Sequence, residues 1–598
     1  MSVLPSSDLP GASGLGDVVG DVASKARLAS LTGTLGRAGR TKTRKAETIT
    51  RHLRKALNLI GVGNAAKAVD VALAALELDE ESGLSWHVLG IALEKSGKLE
   101  KAFEAYGAAA RLLPEDAALT SDLGGLAHRL GYLDLAEKLY LKHLASNPGD
   151  ANTINNLACV LRDDNRYDEA IELLKPALGA NPEMPLLWNT LGTVVSDQGE
   201  MAGSVVFYEE AIRLDRGFYK ARYNLANVRT SLGEPEQALH DINAALLGVR
   251  EPTDVATMKM AKALTQLMLG DLVDGFETYE ARFDPALSEA VVFQDLGERW
   301  TPADDLTGKT LLVYGEQGLG DEILFANLLQ DVIDAVGPDG QVVLAIEGRL
   351  APLFQRSYLS IRVHPHRTVA HLGRLIRFLE FDEGETPQID LWAPIGSLFR
   401  RFRTHPDQFP SRRAFLTPDP ARVAHWRGVL DALGPMPKVG VVWKSLNMKG
   451  SRARGFTPFD LWKPVFETPG IQFVNLQYGD TSAEMALAKA RGLNLWTPPG
   501  IDLKADLDDV AALSAALDMI IAPMTATTNI AASCGVEAWV ISMPDAWPKF
   551  GTDRFPCYPS VRLFPADGYG DWVGVMARVQ AALSAEVAGR TSGSLAAA

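Results

Sequence analysis

Three short segments of the sequence carry side chains whose types and spacing could do chemistry. The first is the loop Gly315–Glu322, GEQGLGDE, which joins an apolar run to a helical pattern. Glycine lets backbone amides approach a ligand closely, so Gly318 and Gly320 are predicted to border a donor-binding site. Asp321 and Glu322 fall in the first helical turn, where a carboxylate could accept a proton from a hydroxyl group. A plain N-terminal helix cap is the alternative interpretation of both acids.

The other two segments predict an anion site. A polar turn follows the apolar run Met519–Pro523 and opens a helix, where hydroxyls and free N–H groups favour a phosphate. Its predicted binding residues are Thr525, Thr527, Thr528 and Asn529. The third segment, 443–454, carries four cations that would stabilise charge developing on a leaving phosphate. These cations are Lys444, Lys449, Arg452 and Arg454. A threonine-capped helix and a solvated loop are the respective alternatives.

Several familiar motifs fail on inspection. Gly308–Thr310 looks like the end of a phosphate loop, but residue 303 is alanine where the first glycine is needed, and no GxGxxG follows a predicted strand. Asp506 and Asp508 form the DxD pattern of some metal-dependent sugar transferases. They fall in the first turn of a predicted helix, which favours carboxylates without a metal. The cysteines lack the CxxC spacing of a zinc site.

The elements that must position these segments are short strands alternating with helical patterns from about residue 300. The predicted strands are 310–315, 341–347, 361–364, 388–393, 438–444, 471–477, 493–497, 519–523 and 537–543. Such alternation predicts parallel sheets with right-handed crossovers. A Pro/Arg-rich stretch at 403–437 separates two series, which predicts two Rossmann-like lobes with the three segments at a shared cleft. The last helix, about 571–587, is predicted to pack back on the first lobe.

A 34-residue repeat occupies the preceding part of the chain. Copies starting at 83, 117, 151, 185 and 219 all have leucine at position 7, and each has glycine or alanine at position 8. Position 20 is alanine in four copies and serine in one, and weaker copies lie at 49 and around 256–285. This pattern is typical of tetratricopeptide repeats, whose stacked hairpins form a groove suited to a peptide. A purely spacing role for the array is the alternative.

Composition sets the limits of these interpretations. The chain has 598 residues and a net charge of −15, which suits about three to five domain-sized units and argues against a nucleic-acid coat. Its apolar runs are too short to span a membrane, no secretory signal is evident, and the cysteines suit a reducing compartment, so a cytoplasmic protein is predicted. The predicted domains are a flexible leader (1–45), repeats (46–290), two lobes (295–435 and 436–585) and a tail (586–598).

Four stretches together resemble a known family. They are EQGLGDEILFANLL within 311–329, VGVVWKS at 439–445, FVNLQYGD at 473–480 and ALDMIIAPMTATTNIAASCG at 516–535. Their order is similar to that of bacterial glycosyltransferase domains fused to tetratricopeptide repeats, of the heptosyltransferase and protein O-GlcNAc transferase groups. The resemblance implies a metal-independent enzyme of GT-B fold. It also implies Asp321 as the base, Lys444 or Lys449 as the basic residue of the donor lobe, and Thr525–Asn529 as the turn that holds the donor phosphates.

The layout most resembles flagellin glycosyltransferases of alphaproteobacteria. This resemblance implies transfer of a nonulosonic sugar of the pseudaminic acid type from its CMP form to Ser or Thr of flagellin captured by the repeats. Arg452 and Arg454 could then pair with the sugar carboxylate. Related domains often read Asp-Thr-Ala-x-x-His where this chain has Met524 to Asn529. An O-GlcNAc-transferase-like enzyme using UDP-GlcNAc and a non-catalytic flagellin adaptor or chaperone therefore stay open. No cofactor beyond the donor, no metal, no nucleic-acid partner and no stable membrane insertion are predicted.

Overall fold

The computed structural model describes residues 44–371, 374–381, 387–446, 448 and 455–596. Its contacts divide the chain into two compact units that meet within one helix, between Asn224 and Leu225. Three of the predicted donor-binding cations, Lys449, Arg452 and Arg454, lie outside the described residues. Nearly all of the predicted leader does so as well, because the first described helix begins at Arg44.

The first unit consists of paired helices with the predicted repeat. The helices are α1 (Arg44–Gly61), α2 (Ala65–Leu78), α3 (Gly83–Lys95), α4 (Leu99–Leu112), α5 (Ala117–Arg129), α6 (Leu133–Ser146), α7 (Ala151–Asp163), α8 (Tyr167–Ala180), α9 (Pro185–Gln198), α10 (Met201–Leu214) and the start of α11 (Tyr219–Ser231). The glycine at position 8 faces an aromatic ring of the following helix: a Cβ on Gly90 would lie 2.5 Å from Tyr106, and one on Gly124 would lie 3.0 Å from Tyr140. The tetratricopeptide prediction is confirmed, and the small residues are required by this close packing.

The second unit begins with the rest of α11 and three more helices, α12 (Pro235–Gly248), α13 (Pro252–Met268) and α14 (Leu272–Tyr279). Leu267 and Phe276 share one buried core with Phe325 and Trp547 of the α/β region that follows. The sequence-based boundary, between 290 and 295, marks where helical periodicity ends. The boundary by contacts falls earlier because these last helices pack into the core of the α/β region.

The α/β region contains two sheets. The first has the order β1-β6-β5-β4-β3-β7-β2, with every pair parallel except β5 and β6. Its strands are β1 (Val291–Phe293), β2 (Glu298–Arg299), β3 (Thr310–Tyr314), β4 (Gln341–Ile346), β5 (Arg362–His371), β6 (Arg374–Leu379) and β7 (Leu391–Pro394). All four strands predicted here are present. The three that were not predicted are very short or, in β6, interrupted by arginine.

The second sheet is wholly parallel, with the order β10-β9-β8-β11-β12-β13. Its strands are β8 (Lys438–Val441), β9 (Gln472–Asn475), β10 (Leu495–Trp496), β11 (Met519–Pro523), β12 (Ala538–Ser542) and β13 (Val561–Pro565). Counted within the sheet this is 3-2-1-4-5-6, the order of a doubly wound Rossmann sheet. The five strands predicted here are confirmed, as is the prediction of parallel α/β structure.

Helices connect these strands. They are α15 (Leu319–Phe325), α16 (Leu329–Val336), α17 (Ala351–Ser357), α18 (Phe399–Phe402), α19 (Pro420–Asp431), α20 (Lys463–Phe466), α21 (Ser482–Ala490), α22 (Leu507–Ala516), α23 (Ala526–Ser533) and α24 (Trp572–Ala596). The prediction that the last helix packs on the first lobe is wrong. Trp572 and Val575 of α24 pack with Trp539 and Phe564 of the second sheet, because the apolar face of α24 completes that core. Of the described helices, none has both the length and the apolar character needed to cross a membrane.

Candidate functional site

Two of the three predicted segments meet in the second unit. The loop after β3 leads into α15, and the polar turn after β11 leads into α23. A Cβ on Gly320 would lie 3.0 Å from Nδ2 of Asn529, so the two segments approach to the limit that glycine allows. Both segments lie at the carboxyl ends of central parallel strands, where α/β proteins bind ligands.

The polar turn is held by its own side chains. Thr525 is the N-cap of α23, and its Oγ1 accepts from the N–H of Thr528 at 3.5 Å. Oγ1 of Thr528 donates to the carbonyl of Pro523 at 2.7 Å, and Nδ2 of Asn529 donates to the carbonyl of Thr525 at 2.9 Å. Thr527 is buried beside them. These contacts match the threonine-capped helix, which leaves mainly backbone N–H groups at this end of α23 to receive an anion.

Asp321 lies on the other side of this contact. Its buried carboxylate accepts from the N–H of Gly318 at 3.3 Å and so caps α15. Tyr558 donates from Oη to Oδ1 of Asn529 at 2.5 Å. Burial raises the pKa of Tyr558, with smaller contributions in the same direction from Cys557 and Asp321. The predicted base therefore lies near Tyr558, a buried phenol that no motif in the sequence marks.

Glu322 is surrounded by donors. It accepts from the N–H of Glu347 at 2.9 Å and contacts Nε2 of His366 at 2.8 Å. Nη1 of Arg377 lies 3.6 Å from the same carboxylate and donates to the carbonyl of Gly315. Burial lowers the pKa of Arg377. Glu322 thus joins α15 to the residue that follows β4 and to residues within β5 and β6.

A second buried carboxylate, Glu316, fixes the start of the same loop. It accepts from Nε and Nη2 of Arg282 at 2.6 and 2.9 Å, and from the N–H of Gly396 at 2.6 Å. Both side chains are almost fully buried, and the guanidinium lies 4.3 Å from the ring centre of Tyr279. Arg282 follows the last repeat helix in sequence, so this pair connects α14 directly to the loop after β3.

The third segment is only partly described. Lys444 follows β8, and its ammonium group pairs with the carboxylate of Glu484 on α21. Burial acts to raise the pKa of Glu484, but the hydrogen bond from Lys444 holds it below its ordinary value. The backbone N–H groups of Trp443 and Lys444 both donate to Oε1 of Gln477, at 3.0 and 2.9 Å. Lys444 therefore already has a carboxylate partner, on the neighbouring helix α21.

Three further acidic residues bear on the chemistry. Asp545 follows β12 at the carboxyl edge of the second sheet, and burial raises its pKa to about 6. Asp506 caps α22 through the N–H of Asp509 and pairs with Arg422, whereas Asp508 pairs with Arg356 of α17. These ion pairs account for the DxD pattern. In the part of the chain that the structure describes, no group of His, Cys, Asp and Glu side chains could hold a metal ion.

Comparison with known proteins bears on the whole chain. Residues 53–117, 87–151 and 155–218 match the family described as "Tetratricopeptide repeat". The chain is 26% identical over 190 residues to Protein O-mannosyl-transferase TMTC3 of Homo sapiens, covering 29% of this chain and 21% of that protein. A solved tetratricopeptide repeat protein from Parabacteroides merdae ATCC 43184 is 16% identical with a TM-score of 0.34, covering 39% of this chain and 93% of that one.

A further relative covers nearly the full length. Protein FlbA of Caulobacter vibrioides (strain ATCC 19089 / CIP 103742 / CB 15) is 48% identical over 588 residues, which is 97% of each chain. The aligned stretch therefore includes the repeats and both sheets. The chain therefore belongs to the FlbA family.

Proposed function

We propose that this protein is a glycosyltransferase of GT-B type that modifies a protein held by its repeats. The observation that carries the proposal is the close approach of Gly320 to Asn529, which joins the loop after β3 to the turn after β11. In doubly wound folds ligands bind at the carboxyl ends of strands where the strand order reverses, as it does at β8 and β11. The loop after β3 belongs to the first sheet and the turn after β11 to the second, so carboxyl-end loops of both sheets meet here. This arrangement suits a reaction between two substrates.

The proposed donor is a CMP-activated nonulosonic sugar, and the proposed acceptor is a Ser or Thr hydroxyl of flagellin in the cytoplasm. Backbone N–H groups at the start of α23 would bind the phosphate, and Gly318 and Gly320 would let the donor approach. Lys444, with Lys449, Arg452 and Arg454, would supply positive charge to the same ligand. The motif resemblance supports this donor. The similarity to the O-mannosyl-transferase TMTC3 adds little, because the chain spans only 21% of that protein.

An adaptor function is the second candidate, and a specific observation favours it. The side chains of Thr528 and Asn529 are bonded within the turn, and Lys444 is paired with Glu484. Polar groups that already have hydrogen-bond partners contribute less free energy to the binding of a ligand. Under this alternative the α/β region would bind flagellin or a nucleotide without transferring a sugar.

Transfer can be measured directly. The full chain is incubated with flagellin and, in separate reactions, CMP-pseudaminic acid or UDP-GlcNAc, and the intact mass of flagellin is recorded. Mass gains in steps of one nonulosonic sugar with the CMP donor would support the proposal, and gains of one GlcNAc would favour the UDP alternative. Flagellin binding without a mass gain from either donor would refute catalysis and leave the adaptor.

A matched pair of glycine variants ties transfer to the loop contact. Gly320→Ala places a methyl group 3.0 Å from Nδ2 of Asn529 and should slow transfer by displacing the two segments. Gly428→Ala makes the same change on α19, where nothing lies within 4 Å, and should leave transfer intact. Equal transfer rates in the two variants would show that transfer does not depend on the contact between Gly320 and Asn529.

A further inference from the structure

We propose that His366, held by Glu322, is the group that accepts the proton of the acceptor hydroxyl, an inference that rests on the proposed function. Nε2 of His366 lies 2.8 Å from Oε1 of Glu322. The imidazole is only 6% exposed, yet its Nδ1 has no hydrogen-bond partner among the residues that the structure describes. Buried polar atoms are normally paired, so an unpaired ring nitrogen beside a predicted reaction loop requires an explanation.

The contact with Glu322 decides which nitrogen can act as a base. A carboxylate accepts hydrogen bonds, so Nε2 of a neutral imidazole carries the hydrogen that points at Glu322. Nδ1 then holds the free electron pair. A carboxylate that fixes a histidine tautomer in this way also stabilises the imidazolium formed after proton transfer.

The pair is held rigidly against the loop after β3. Glu322 also accepts from the N–H of Glu347 and faces Arg377, which donates to the carbonyl of Gly315. A Cβ on Gly315 would lie 2.7 Å from the Glu322 carboxyl group, so the loop packs directly on the acid. Groups positioned this firmly lose little entropy when they react.

The two carboxylates predicted as bases are less available. The oxygens of Glu322 are occupied by an N–H, an imidazole and a guanidinium group. Asp321 caps α15 through the N–H of Gly318. In the proposed step the hydroxyl oxygen of the acceptor bonds to the anomeric carbon as the bond from that carbon to the phosphate oxygen breaks. The bonding pair leaves with the nucleotide, and the hydroxyl proton passes to Nδ1 of His366, directly or through one water.

The test compares four single variants of the full chain with CMP-pseudaminic acid and flagellin. One of them, His366→Gly, leaves space that added imidazole can fill. His366→Gln places an amide N–H where Nε2 contacts Glu322 but has no nitrogen that can accept a proton. Asp321→Asn removes the alternative base. His371→Ala is the matched control, because His371 is exposed on the same strand. Initial transfer rate, flagellin KM and the affinity for CMP are measured for each, with the melting temperature as the check on folding.

His366→Gln should lower kcat by about 10²–10⁴-fold with little change in KM or in CMP affinity, and Asp321→Asn should lower it less. Adding imidazole to His366→Gly should restore transfer at least in part, which a merely structural role would not produce. The inference is overturned if His366→Gln transfers at a rate close to that of the unaltered chain. It is also overturned if imidazole does not restore transfer to His366→Gly and Asp321→Asn lowers kcat more than His366→Gln does. Absence of transfer by the unaltered chain would overturn the proposed function itself, and this inference with it.

Discussion

Replacing Arg282 by methionine should strongly destabilise the second unit. The substitution removes both hydrogen bonds from the guanidinium to Glu316 and one to Glu280, together with one to the carbonyl of Tyr279 and one to Ser397. Glu316 is 1% exposed, so its carboxylate would stay buried. Of the hydrogen bonds described above, it would keep the one from the N–H of Gly396. Methionine fills a similar volume, so the loss is mainly electrostatic.

The magnitude follows mainly from the two charged hydrogen bonds that Glu316 loses, because Glu280 keeps Arg299 as an ion-pair partner. Hydrogen bonds to charged groups contribute about 1.5–3 kcal/mol each, and breaking a buried ion pair from one side typically costs about 3–5 kcal/mol. We therefore expect the free energy of unfolding to fall by about 3–5 kcal/mol. The double variant Arg282→Met with Glu316→Gln should lose less than the single one, because the buried charge is then gone and an acceptor for Gly396 remains.

Urea denaturation followed by tryptophan fluorescence is a suitable assay, because every tryptophan except Trp86 and Trp188 lies after residue 224. Arg367→Met is the matched control, since Arg367 pairs with Glu380 on an exposed surface and surface pairs contribute little. Equal unfolding midpoints for Arg282→Met and Arg367→Met would refute the reasoning. A double variant less stable than Arg282→Met would show that the pair is not coupled as described.

Three further predictions use the same approach. Gly90→Ala should destabilise the first unit by about 1–3 kcal/mol through its clash with Tyr106, whereas Gly107→Ala, with open space around it, should not; melting temperatures test this. Burial raises the pKa of Asp545 from 3.8 to about 6, so the folded unit loses stability as pH rises through that range, and Asp545→Asn should raise the melting temperature at pH 8 but not below pH 3.8. Burial acts to raise the pKa of Glu484, but Lys444 holds it below 4.5, so the ion pair stabilises the fold above that pH and this stability is lost as the pH falls. Lys444→Met should therefore make the melting temperature fall less between neutral and acidic pH.

Local patterns predicted most of the fold. The small residues at positions 8 and 20 allowed the repeat to be predicted, because each must fit against a neighbouring helix, as Gly90 does against Tyr106. Buried strands such as β8 and β11 appeared as continuous apolar runs because both faces of a parallel sheet are covered. The two-residue strand β2 and the arginine-bearing β6 carry no such pattern, since their pairing depends on neighbours distant in sequence.

The candidate site was predictable only where it depends on strand ends. Loops after β3 and β11 could be assigned to one site because the carboxyl ends of parallel strands bind ligands. The partners of those loops could not. Arg282 lies in a helical turn without a distinguishing motif, and its contact with Glu316 spans 34 residues. His366 is one of ten histidines, and only its contact with Glu322 sets it apart.

Contacts between residues distant in sequence join the last repeat helices to the α/β region, although the sequence-based boundary at 290 to 295 separates them. Leu267 and Phe276 belong to repeat helices in sequence and to the α/β core in packing. Arg282, a few residues later, holds the loop that carries Gly320 and Asp321. A force on α14 would therefore reach the loop after β3 through a buried, charged contact and not through a flexible linker. If the repeats bind the acceptor, the end of the array is already part of the structure that would position it for transfer.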